Sequence, residues 1–136
     1  MPTERGAAVD VLRPARSAPV LHIWNENLVG GETKEVRLHD LDGWSAVVVA
    51  VRVTYHPEAT AGVRVRWLYG PAWDTWDSEE DAEVEGNYAD LTFSPGAHRQ
   101  RTILIPVLSP YVKVQVVNLD TARTHLLVGV WTWLLR

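Results

Sequence analysis

The 136-residue chain has no cysteine, one methionine, one phenylalanine and only two lysines. Without cysteine there is no disulfide framework, no thiolate zinc site and no cysteine nucleophile. No run approaches the roughly 18 uncharged apolar residues that a membrane-spanning helix needs. The first residues carry Glu4 and Asp10 and no apolar block, so the expectation is synthesis in the cytoplasm without a signal peptide. No Asn-x-Ser/Thr sequon occurs, which agrees with that expectation.

A basic stripe is also missing. The formal charge is −4, but seven acids (Asp74, Asp77, Glu79, Glu80, Asp81, Glu83, Glu85) fall between positions 74 and 85 with no base among them. The rest of the chain is about +3, too little for the phosphate contacts of nucleic-acid binding. What the chain does have is seven tryptophans, a residue enriched in interface hot spots. Its length suits one domain, which typically buries about two-thirds of the unfolded surface and needs no covalent staple.

Residues 1–19 contain Pro2, Pro14 and Pro19 and sustain no period, so they read as an extended or disordered arm preceding a domain at 20–136. From Val20 onward the pattern is that of strands. Val20 to Glu26 ends in the turn Asn27–Gly31, and Thr33 to Leu38 puts Val36 and Leu38 on one face. Trp44 to Tyr55 is β-branched almost throughout, with Val47, Val49, Val51, Val53 and Tyr55 sharing a face. Val63 to Tyr69 alternates Val63, Val65, Trp67 and Tyr69 inward with Arg64 and Arg66 outward, the signature of a half-buried antiparallel strand. Tyr88 to Phe93, Arg99 to Val107, Tyr111 to Asn118 and Thr124 to Leu135 follow, separated by polar turns.

About eight strands and no convincing amphipathic helix predict an all-β fold: a jelly-roll-like sandwich of two antiparallel sheets, with an open Greek-key barrel as the alternative. The last strand is apolar on both faces. Leu126, Val128, Val130 and Leu134 form one, and Leu127, Trp131, Trp133 and Leu135 the other. A sandwich buries only one of these, so a loop, the N-terminal arm or another subunit must cover the second.

Catalytic constellations are hard to assemble. The five histidines lie at least 17 residues apart and form no short metal-ligand pair. Gly43-Trp44-Ser45-Ala46-Val47 starts like a nucleophile elbow but lacks the second glycine and leads into a strand. The expectation is a protein that is not an enzyme, with no cofactor. The acidic stretch reads as a solvated loop, the alternative being calcium held by Asp74, Asp77 and nearby carbonyls, although the EF-hand spacing is absent. Trp73 and Trp76 flank carboxylates there, which leaves open a carbohydrate-binding module using Trp73, Trp76, Asp74 and Asp77.

One set of segments has a familiar order: Tyr69-Gly70-Pro71-Ala72-Trp73-Asp74-Thr75, the acidic stretch, Arg101-Thr102-Ile103-Leu104-Ile105-Pro106-Val107, and Pro110-Tyr111-Val112-Lys113-Val114-Gln115-Val116-Val117-Asn118-Leu119-Asp120. Across residues 44–131 this resembles small β-sandwich structural proteins of tailed-phage and prophage virions. The resemblance implies a virion component made in the host cytoplasm, either a head decoration (cement) protein or a tail element. It would assemble with itself, a trimer being favoured, and with other virion proteins. Contacts would come from Leu12, Arg13 and Arg16 in the arm, Trp131 and Trp133 on the last strand, and Trp73 and Trp76.

Overall fold

A computed structural model describes residues 16–136. Its strands are β1 (Val20–Leu28), β2 (Thr33–Leu38), β3 (Ala46–Thr54), β4 (Val63–Gly70), β5 (Tyr88–Asp90), β6 (His98–Pro106), β7 (Tyr111–Asn118) and β8 (His125–Leu135), with one short helix, α1 (Glu79–Val84). They form two four-stranded antiparallel sheets, ordered β1-β8-β3-β6 and β2-β7-β4-β5. Most consecutive strands change sheet, the jelly-roll arrangement expected from the strand count.

The alternation read in the sequence sets the core. Val47, Val49, Val51 and Val53 of β3 are fully buried and face Val63 and Val65 of β4 and Val112, Val114 and Val116 of β7. Near the open edge the Tyr69 hydroxyl of β4 donates to the Pro106 carbonyl of β6 at 2.6 Å, joining the sheets.

Four expectations need correction. The acidic stretch is not a free loop: residues 79–84 form α1, which lies on the outer face of the second sheet with Ala82 buried beneath it. The Ser78 hydroxyl accepts from the Asp81 N–H at 3.0 Å, and three acids occupy the positive end of the helix. Arg66, expected to point into solvent, is instead buried under α1. Its guanidinium pairs with Glu79 (3.2 Å) and Glu83 and donates to Gln115 Oε1 at 2.8 Å, while Arg64 pairs with Glu83 and Asp90. Two of the seven acids, Glu79 and Glu83, are counter-charges for the arginines of β4.

Leu126 is the third correction. It is exposed, because Leu127 sits in the left-handed region (φ +55°) and the ladder with β3 slips there. The extra residue carries the inward phase from Val128 to His125. Last, of the strand expected from Tyr88 to Phe93, only Tyr88–Asp90 pair with β4, although Leu91 still packs in the core.

Polar side chains lock one end of the sandwich. Asn118 at the end of β7 donates to the carbonyls of Leu28 (3.0 Å), Val29 (3.1 Å) and Arg123 (2.8 Å). The Asp120 carboxylate accepts backbone N–H groups of Thr60 and Ala122 (2.8 Å each) and Arg123 (2.9 Å), which hold it well below the usual carboxylate range. His125 is fully buried. Its Nδ1 accepts from the His56 N–H at 3.2 Å and its Nε2–H donates to the Ala61 carbonyl at 3.0 Å, an arrangement that suits the neutral ring.

Burial pushes the His125 pKa below its ordinary value of 6.5. An unfolded chain therefore takes up this proton near pH 6.5, whereas the folded chain resists it until a lower pH. The stability contributed by neutral His125 is present above pH 6.5 and is lost as pH falls through the folded value. Burial likewise lowers the pKa of His22. Urea denaturation between pH 7.5 and 5 should show falling stability, with a shallower slope in His125→Phe. An unchanged slope in that variant would remove His125 from this account.

Candidate functional site

The outer faces of the two sheets are treated differently. That of β2-β7-β4-β5 is covered by α1 and by Trp76, whose ring lies against the Lys113 ammonium (4.8 Å) and the Arg37 guanidinium (5.9 Å). That of β1-β8-β3-β6 carries apolar rows in register across the strands. One row runs Leu21, Trp131, Ala50, Thr102; the next Trp133, Val48, Leu104; a third Leu135, Ala46, Pro106. Val48 and Ala50 are buried next to Trp133 and Trp131, and Ala46 between Leu135 and Pro106, whereas Leu21 (49%), Trp24 (51%) and Leu104 (59%) are open to solvent.

Two devices shape this face. A Cβ on Gly129 would come within 2.9 Å of the Trp131 ring, so glycine there lets the indole lie back against β8. Asn25 of β1 has φ +53° and accepts from the Arg52 guanidinium at 2.6 Å. Arg52 then sits over Trp24 (4.4 Å) and near Trp131 (5.7 Å), while those two rings meet edge to face at 5.8 Å. The result is a groove of about 470 Å³ with Trp24, Ala50, Arg52, Thr102, Trp131 and Trp133 among its lining residues.

Residues before β1 run beside the end of β8. Arg16 bridges to Leu135, the Ser17 N–H donates to the Leu134 carbonyl at 2.9 Å, and the Leu134 N–H donates to Ser17 Oγ at 2.8 Å. The chain therefore enters the domain at the Trp133 end of the apolar face. Leu12 and Arg13 lie outside the described residues.

Trp73 and Trp76 part company after β4. Gly70 is needed where they diverge, because a Cβ there would collide with the Thr75 carbonyl and come within 2.9 Å of the Trp76 ring. Trp76 turns onto the sheet, while Trp73 stays half exposed beside His39 and Tyr111. Both rings still adjoin the same two groups, the Tyr111 ring (5.9 Å from Trp73, 6.5 Å from Trp76) and the Arg37 guanidinium (5.8 and 5.9 Å). Among the described residues no three acids or histidines converge as a metal site would require, and no helix is long and apolar enough to cross a membrane.

Sequence reasoning pointed to Trp131 and Trp133, and the structure places both on the open face. It missed Trp24, Arg52 and Leu104. The alternation of Ala46, Val48 and Ala50 was the available signal, since an outer face of small apolar residues implies larger ones overhanging it.

The strand order and the interleaving of the sheets define a jelly-roll sandwich, an architecture used by viral capsid and lectin domains. No protein-family model matches the sequence, and neither does any curated protein. The fold is similar to a chain in the X-ray structure of the Triatoma virus empty capsid, at 13% identity and TM-score 0.52, over 86% of this chain and 87% of that one. The CBM36-1 domain of a multidomain xylanase from the hindgut metagenome of Trinervitermes trinervoides matches over 88% of each chain at 8% identity and TM-score 0.49. A chain of rhinovirus-B5 matches over 93% of this chain and 77% of its own, at 15% identity and TM-score 0.47. Identities this low show the fold alone. The likeness to the Triatoma virus capsid chain is one of fold and is not specific to phages.

Proposed function

We propose that this chain is a non-enzymatic structural protein of a virus particle, a head-decoration or tail component, which assembles through the outer face of β1-β8-β3-β6. The observation that carries the reading is the asymmetry of the two sheets. One outer face is covered by the chain's own α1 and Trp76, and the other offers Leu21, Trp24, Leu104, Trp131 and Trp133 with no helix over them among the described residues. An apolar band of this kind belongs against another subunit. The Triatoma virus capsid chain supplies a precedent for this fold in a virus shell. The pairing of Arg16 and Ser17 with Leu134 and Leu135 at the end of β8, next to Trp133, supports a part for the preceding residues in the same contact.

The partners are copies of this chain, with a trimer expected, and other virion proteins. Light scattering over a concentration series should show a closed oligomer for the full chain. Leu21→Lys and Leu104→Lys, both at exposed positions, should weaken association at least tenfold, roughly 1.4 kcal/mol, and leave the melting midpoint unchanged. A wild-type chain monomeric at every concentration would overturn the proposal, and retention on a glycan array would then put sugar recognition in its place.

A further inference from the structure

At the end of the sandwich opposite the Asn118 cluster, three separate segments line an open pocket of about 430 Å³. The loop after β2 supplies His39, Asp40 and Asp42, the segment after β4 supplies Trp73, and the start of β7 supplies Tyr111. Leu41 is buried between the two aspartates and anchors the loop, which leaves both carboxylates on the exposed side. The Trp73 ring stands 5.4 Å from His39 and 5.9 Å from Tyr111, at 73° and 72° to them. These rings meet as the walls of a corner.

Two carboxylates and three aromatic rings line this pocket, and no lysine or arginine does. Aromatic rings set at steep angles present electron-rich faces from more than one direction, and nearby carboxylates add negative potential. That combination stabilises a positively charged group that is only weakly hydrated. A neutral sugar would instead need one broad open ring face. The Trp73 ring already has a guanidinium beside it, that of Arg37 at 5.8 Å from the ring centre.

We infer that this pocket recognises an organic cation, a guanidinium or a quaternary ammonium group, seated against the Trp73 and Tyr111 rings and balanced by Asp42 and by Asp40, one oxygen of which is bonded to His39 Nδ1 at 2.8 Å. The site lies apart from the apolar sheet face and does not depend on the assembly reading.

The test is an NMR titration of the ¹⁵N-labelled full chain, following the Trp73 indole N–H. The probes are choline chloride and N-acetyl-arginine amide, with sodium chloride at matched ionic strength and xylobiose as controls. Saturable shifts are expected with both cations at roughly millimolar concentration and with neither control. Asp42→Asn, an exposed change, should weaken binding about fivefold, and Trp73→Ala, followed through the backbone amides of residues 39–42, should abolish it. Tighter binding of the arginine probe would identify a protein side chain as the source, and tighter binding of choline a quaternary headgroup. Absence of a saturable shift with both cations overturns the inference, as does an equal response to xylobiose.

Discussion

Replacing Asn118 by alanine will destabilise the fold by about 3 kcal/mol and lower its melting midpoint by roughly 10 °C. The side chain is almost fully buried, and its amide serves three backbone carbonyls from two connections while its Oδ1 accepts from the Asp120 N–H at 2.9 Å. Two amide protons thus serve three acceptors, so at least one bond is shared. Alanine would strand those carbonyls and the Asp120 N–H in a buried site, where each unmet group costs more than a hydrogen bond normally contributes. Asn118→Asp is nearly isosteric and should be at least as harmful, because it points acceptor oxygens at carbonyls. Urea denaturation of both variants checks this. A loss below about 0.5 kcal/mol in the alanine variant, the level of an ordinary surface change, would mean that water replaces the amide at no cost.

Arg66→Met should cost about 2 kcal/mol and detach α1 from its sheet. Arg66 is buried, and removing it leaves Glu79, Glu83 and Gln115 without their shared partner. Glu79 and Glu83 are themselves partly open to water, at 55% and 37% exposure of their side chains, which holds the effect below that of a sealed ion pair. Gln115 also donates to Glu79 at 2.8 Å and Glu35 at 2.9 Å, so the loss spreads along the sheet. The contrast is Arg64→Met. Arg64 is more exposed and pairs at the edge with Asp90 and Glu83, so this change should cost less than about 1 kcal/mol. Limited proteolysis would report α1 directly, with faster cleavage near residues 77–87 in Arg66→Met only. Equal cleavage rates in the two variants would show that Arg66 does not hold the helix.

The helix shows where a linear reading falls short. Seven acids without a base look solvated when the partners of two of them are out of sight: Glu79 and Glu83 pair with Arg64 and Arg66, at least 13 residues earlier on another element. A local signal was nonetheless present: Ser78-Glu79-Glu80-Asp81 has the spacing of a helix cap, and Glu79 and Glu83 share a helical face. Leu126 failed for a different reason. A strict two-residue period cannot anticipate a bulge, and nothing in Leu126-Leu127 announces a left-handed residue. His125 resembled its fellow histidines in sequence, and only the approach of His56 and Ala61 from another loop makes it a buried, neutral ring.

By itself the sequence determined that the domain is a disulfide-free antiparallel sandwich, and it determined which faces of β3, β4 and β7 form the core. Those properties follow from side-chain alternation along single strands, which is local and period two. The tertiary structure alone decided which outer face stays open, because that depends on where α1 lands and how Trp131 and Trp133 overhang the small residues of β3. It alone brought His39, Asp40 and Asp42 to Trp73 and Tyr111, residues more than 30 positions apart. Such sites are made by strand order and register, which arise from the packing of all eight strands at once and are encoded in no single segment.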